Sequence, residues 1–291
     1  MTVPAFTPFG GDEIPQSDLA AARAVVLPLC YEKAVSYGSG TRDGPLHLLD
    51  ASLQLERLDA ETLVDWGAVG LHTRAPIYPS EDPRQAVTEM QAAAAPILAG
   101  GRFLVSIGGD HAVSIGPIQA VAERYPDLSV LQFDAHLDLR DTWNGSPYNH
   151  ACVMRRVVDD MGLPIVQVGI RAMAPEEHDF IQARGIEPFL AFQIDSVDFG
   201  WIDRVVAGLS AHVYLTIDLD GLDPSVLPGT GTPEPDGLSF RQLVRLIAAV
   251  GRQRRVVAAD VVELAKIPGT QVSEFTAAKI VSKILVHCVG S

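Results

Sequence analysis

Only four of the 22 basic residues in this 291-residue chain are lysines, at positions 33, 266, 279 and 283, a coding bias to which we attach no mechanism. Cysteine is scarce too. Cys30, Cys152 and Cys288 are far apart and form no C-x-x-C pair, which argues against a disulfide framework or a thiolate zinc site and fits a reduced, cytoplasmic protein. Basic charge is in deficit. The net charge of −14 has the wrong sign for nucleic acid or an anionic membrane as partner, whereas a small cationic partner would suit that field. No apolar run is long enough to cross a bilayer. The opening "MTVPAFTPFGGDEIPQ" lacks the basic and apolar regions of an export signal. Repeats, low-complexity tracts and linkers are missing as well, so residues 1–291 read as one domain.

What the chain does have is apolar, β-branched runs in regular succession: 24–30, 102–109, 128–136, 164–171, 211–220 and 254–264. They are apolar on both faces, as parallel strands covered by helices should be. Amphipathic stretches at 82–100, 115–126, 174–185, 239–251 and 273–289 alternate with them, with Ser273 placed as an N-cap. This order implies an α/β fold, three layers α/β/α around a mainly parallel central sheet. The Gly- and Pro-rich stretches 36–45 and 221–237 follow strands and read as functional loops. In such sheets ligands collect beyond the carboxyl ends of the strands.

Three of those ends carry an unusual load: "SIGGDHAV" brings Asp110 and His111, "LQFDAHLDLRD" brings Asp134, His136 and Asp138, and "TIDLDGLDP" brings Asp218, Asp220 and Asp223. Side chains two apart on a strand share a face, so Asp134 pairs with His136 and Asp218 with Asp220. Held extended, the D-x-H-x-D triplet would span about 13 Å, too far for one ion. Either the strand curls into its loop or the ligands serve two adjacent ions. Charge agrees with the second option. His111 and His136 are neutral donors, Asp134, Asp138, Asp218 and Asp220 bring four negative charges, and two divalent cations cancel them. Without metal the cluster would be costly to bury. Any one motif alone could be a turn or a cap. Three at one sheet edge are not readily coincidence. Oxygen and imidazole donors with no sulfur favour Mn²⁺, with Ni²⁺, Co²⁺ and Fe²⁺ also admitted.

"GGDHA", "DAHLD" and "TIDLDGLDP" resemble the three signatures of the ureohydrolase family, the arginases, agmatinases and their relatives. The resemblance runs through the chain: "VSYGSGTRDGP" (35–45), "GTGTPEPDGLS" (229–239) and "ADVVEL" (259–264) are similar to the family's N-terminal loop, substrate-side loop and last sheet strand. It implies the same three-layer fold and a pair of Mn²⁺ ions. His111 and Asp138 would bind one ion, His136 and Asp220 the other, and Asp134 and Asp218 would bridge. It also implies that Glu263 grips the substrate guanidinium with Thr232 near it. His150 in "YNHAC" would be a mobile proton-transfer histidine, and Asp220 or His150 would protonate the departing amine. Taken alone, Glu263 would read as a buried ion-pair carboxylate and His150 as a surface histidine.

The substrate is read from the stretch after the metal loop, "LRDTWNGSPYN". It lacks the Ser/Asn-rich pattern with which arginases hold an amino-acid head group, and resembles the agmatinase loop of bacteria and archaea. The implied reaction is agmatine plus water to putrescine and urea. Guanidinobutyrate, arginine, guanidine and formimidoylglutamate are the alternative substrates. Ala112, Ala151 and Asp236 depart from the family pattern without touching a ligand, so they bear on substrate choice. A silent subunit would have lost ligands, and none is missing. A zinc deacetylase would carry one ion and fewer acidic groups. The resemblance further implies a homo-oligomer, a trimer or hexamer.

Overall fold

The computed structural model describes residues 6–33 and 35–289. In chain order its strands and α-helices are β1 (Ala24–Leu29), α1 (Gly44–Ser52), β2 (Leu71–Thr73), α2 (Pro83–Ala99), β3 (Phe103–Gly108), α3 (Ile115–Ala122), β4 (Leu128–Phe133), α4 (Val153–Asp159), β5 (Ile165–Ile170), α5 (Pro175–Arg184), β6 (Phe189–Leu190), α6 (Gly200–Ala207), β7 (His212–Asp218), α7 (Phe240–Gln253), β8 (Arg255–Val262) and α8 (Val272–Ile284). The strands form one sheet in the order β2-β1-β3-β8-β7-β4-β5-β6. Every pairing between neighbouring strands is parallel.

Burial explains the layering. β1, β3 and β4 are buried at every position, because successive side chains enter two different cores. Val26, Val105 and Leu131 pack with α1, α6, α7 and α8, whereas Val25, Leu104 and Val130 pack with α2, α3, α4 and α5. Helix starts follow local chemistry. The Asp82 carboxylate accepts from Gln85 N at 2.8 Å ahead of Pro83, and Ser239 and Gln242 cap α7 reciprocally.

Some boundaries differ from the expectation. β4 stops at Phe133 and β7 at Asp218, so Asp134, His136 and Asp220 lie on turns beyond the strands and not on a shared strand face. Ser273 is no N-cap: Gln271 holds that position, and the buried Ser273 hydroxyl accepts from Gly229 N at 2.8 Å. The stretch 285–289 continues α8 as a π-helical turn. β2, β6, α1, α4 and α6 are too short, or too weakly amphipathic, to stand out by periodicity.

Candidate metal centre

Four adjacent strands, β3, β8, β7 and β4, aim their carboxyl ends at one place. Beyond β3 the chain must pass close to Tyr31. A Cβ on Gly109 would sit 1.8 Å from the Tyr31 carbonyl, so only glycine fits there. Asp110 then caps the turn, accepting from Ala112 N at 3.1 Å and Lys33 N at 2.9 Å. Burial raises its carboxyl to about 6. Beyond β4 the backbone curls. Asp138 takes the left-handed conformation at φ 53°, which brings it back beside His111 and away from the extended 13 Å span.

The side chains fall into two groups. His111 Nδ1 lies 3.2 Å from Asp134 Oδ2, 2.9 Å from Asp138 Oδ2 and 3.2 Å from Asp218 Oδ2. His136 Nδ1 lies 3.0 Å from Asp220 Oδ2 and 3.6 Å from Asp134 Oδ1. Asp134 therefore offers one oxygen to each group. The Asp218 carboxylate meets His111 with Oδ2, while its Oδ1 accepts from Asp220 N at 3.0 Å.

The donor set fits a pair of cations. His111 is 1 % exposed. Its Nε2 meets the Thr216 hydroxyl at 2.9 Å, and that hydroxyl donates onward to Asp260 at 2.6 Å. Nε2 therefore carries a proton, and Nδ1 faces three carboxylate oxygens at 2.9–3.2 Å. A buried nitrogen facing three carboxylates calls for positive charge between them, a proton or a metal ion. The protonation equilibria say the same. Burial alone would lower the His111 imidazole, but the surrounding carboxylates carry it well above its usual value. His136 is likewise raised to about 12 against the effect of burial, chiefly by Asp220. Burial and then Asp134 push Asp138 up to about 7. Burial, Asp220 and Asp134 also raise Asp218 well above its usual value.

A cavity of about 270 Å³ opens above the two groups, lined by His136, Asp220, Thr232, Glu263, His150 and Trp143 among others. Glu263, itself left-handed at φ 67°, accepts from His111 N through Oε1 at 2.7 Å. The Thr232 hydroxyl donates to Asp220 Oδ2 at 3.1 Å. His150 Nε2 meets the Ser36 hydroxyl at 2.8 Å. Ala172, Met173 and Ala174 form an apolar wall. At the rim Arg140 stacks on Trp143 and pairs with Glu176. Of the three departures, Ala112 is buried, Ala151 lines the cavity, and Asp236 adopts φ 65°.

Beneath the cluster runs a feature that the motifs did not reveal. Ser106, Asp260, Thr216, Gln132 and Gln167 are paired in register across β3, β8, β7, β4 and β5, and none is more than 1 % exposed. Gln167 donates to Gln132 at 2.6 Å, and Gln132 to Asp134 Oδ2 at 2.7 Å. This polar row supports Asp134 and His111 from below. Its signal was present in the sequence as single polar residues inside otherwise apolar strands.

Comparison with known proteins agrees with this geometry. The family model for "Arginase family" matches residues 22–287. The chain is 39 % identical to an N(1)-aminopropylagmatine ureohydrolase of Synechocystis over 91 % of this chain and 89 % of that protein. It is 38 % identical to the enzyme of the same name from Thermus thermophilus, over 97 % and 93 %. The crystal structure of agmatine ureohydrolase from Thermoplasma volcanium superposes with a TM-score of 0.87 at 26 % identity, covering 97 % of this chain and 94 % of that one. The chain belongs to the arginase family. It is a ureohydrolase, a hydrolase acting on amidino groups, in a family that depends on a binuclear metal centre.

Proposed function

We propose that the chain hydrolyses a guanidino amine, a substrate with a guanidinium at one end and a cationic, carboxylate-free tail, releasing urea and a polyamine. The observation that carries this reading is Asp134 offering one oxygen to each of two imidazole-containing groups, with Glu263 on the wall of the same cavity. His111 and Asp138 would hold one divalent ion and His136 and Asp220 the other, with Asp134 and Asp218 shared. For Asp218 the support is one-sided, since its Oδ2 faces His111 alone. Mn²⁺ suits these donors best, ahead of Ni²⁺, Co²⁺ and Fe²⁺. Bound there, the ions supply the Lewis acidity that makes water nucleophilic near neutral pH.

The protein's own groups do the rest. Glu263 holds the guanidinium flat, so that its carbon faces the two groups, an orientation effect. Thr232 keeps the substrate-side loop against Asp220. The amine that departs needs a proton, which Asp220 or His150 would provide. The apolar wall of Ala172, Met173 and Ala174 suits a polymethylene chain and offers nothing to a carboxylate.

Agmatine meets these requirements. So does N(1)-aminopropylagmatine, favoured by the names of the two relatives at 38–39 % identity. Urea release should be measured for both, with arginine and guanidinobutyrate alongside, on protein loaded with Mn²⁺ or Ni²⁺. The two carboxylate-free amines should exceed arginine in kcat/KM by at least tenfold. Arginine preferred tenfold would overturn the reading of the tail, and no urea from any substrate would overturn the catalytic assignment.

A further inference from the structure

Arg171 belongs to none of the motifs, yet it makes an unusual set of contacts. Its guanidinium donates only to backbone carbonyls. Nε reaches Pro235 O at 2.9 Å, Nη1 reaches Gly169 O at 3.0 Å and Gly221 O at 3.3 Å, and Nη2 reaches Asp220 O at 2.6 Å, Glu234 O at 2.8 Å and Leu222 O at 3.4 Å. No carboxylate shares the charge among the described residues. The rigid, planar fork of arginine matches several acceptors at once, as a lysine ammonium does not.

Those carbonyls belong to three segments. Gly169 lies near the end of β5, residues 220–222 form the turn carrying Asp220, and residues 234 and 235 lie in the loop carrying Thr232. Turn and loop meet again where Leu238 N donates to Gly221 O at 3.1 Å and where Thr232 touches Asp220. The shortest of the Arg171 bonds falls on Asp220, whose carboxylate faces His136. The group around His111 receives no contact from Arg171.

We propose that Arg171 is a positioning residue that holds Asp220, and with it the Thr232 loop, in place for the ion beside His136, while leaving the ion beside His111 untouched. The proposal rests on the binuclear reading above. It predicts an unequal effect on the two ions, which general loss of stability would not produce.

The test is a stepwise Mn²⁺ titration of chelator-stripped protein, followed by calorimetry, on wild type, Arg171→Lys and Arg171→Met. Wild type should take two ions. Both variants should keep one at wild-type affinity and bind the other roughly 10–100-fold more weakly, the usual effect of losing a group that orients a ligand. Lysine should not rescue, because it keeps the charge and loses the fork. Two ions bound as in wild type, equal weakening of both, or failure of both variants to fold would each overturn the proposal. A wild-type chain that takes fewer than two ions would overturn the binuclear reading and this inference with it.

Discussion

Glu263 divides its carboxylate between two duties. One oxygen accepts from His111 N, while the side chain also lines the cavity. A glutamine can keep the first contact through its carbonyl oxygen, so Glu263→Gln should retain both ions. It should still lose about a hundredfold in kcat/KM, roughly 3 kcal/mol of barrier, because a charge-assisted pair with the guanidinium is gone. Near-normal turnover with two ions bound would show that Glu263 does not clamp the substrate. Asp134→Asn makes the opposite prediction. Its carboxylate is the one that reaches both groups, so elemental analysis should find at least one ion missing while the thermal midpoint of the metal-free protein changes little. Two ions retained would end its bridging role. Much of this site was legible from charge and motif position, since acidic and imidazole residues clustered after three strands point to a cation, although the strand-face alternation expected for them does not hold. Ser36 and Arg171 were not legible, because a lone hydroxyl or guanidinium gains meaning only from what the fold brings beside it.

Strands and helices were read well where burial left a continuous apolar run, as in β1 and β4, and poorly where an element is short. β2 and β6 hold three and two residues, too few for any periodicity. The turns after β4 and β7 were read as strand because nothing in "DAH" or "LD" announces a break. The break comes from tertiary contacts, such as Ala135 N donating to Asp220 Oδ1 at 3.1 Å. One tie between elements carries its own prediction. Lys283 on α8 lies 2.5 Å from Asp59 in the loop after α1, and both are buried. Burial opposes the Asp59 charge, but Lys283 and Thr62 outweigh it and hold the carboxyl at about 2, below the usual 3.8. The folded value lies below the unfolded one, so the stabilisation is complete above about pH 4 and is lost as pH falls through about 2. At neutral pH the shift corresponds to roughly 2 kcal/mol. Asp59→Asn leaves the buried Lys283 ammonium with only the exposed Glu61 carboxylate, 3.1 Å away, and should cost roughly 2 kcal/mol there. In urea unfolding, the gap between wild type and Asp59→Asn should close between about pH 4 and pH 2. A gap that stays constant across that window would mean the pair contributes no charge-dependent stability.

Across the whole molecule, the three-layer parallel fold followed from composition and from strand–helix alternation, but the strand order did not, because apolar runs do not say which neighbour they choose. That order has a consequence for how the chain comes into being. Of the strands described, β8 is the last to leave the ribosome, yet it sits mid-sheet between β3 and β7. Until residues 255–262 emerge, the nascent protein can form only two half-sheets, β2-β1-β3 and β7-β4-β5-β6, each ending in an unpaired, apolar edge of the kind that invites wrong partners. The final strand acts as a keystone, and it also delivers Asp260 and Glu263. Chains released after residue 254 should therefore be aggregation-prone and unable to retain metal. Soluble, metal-retaining fragments of that length would show that the halves close without it. Growing chains would thus be exposed until residue 262 has emerged, and the sheet and its catalytic edge would be completed together.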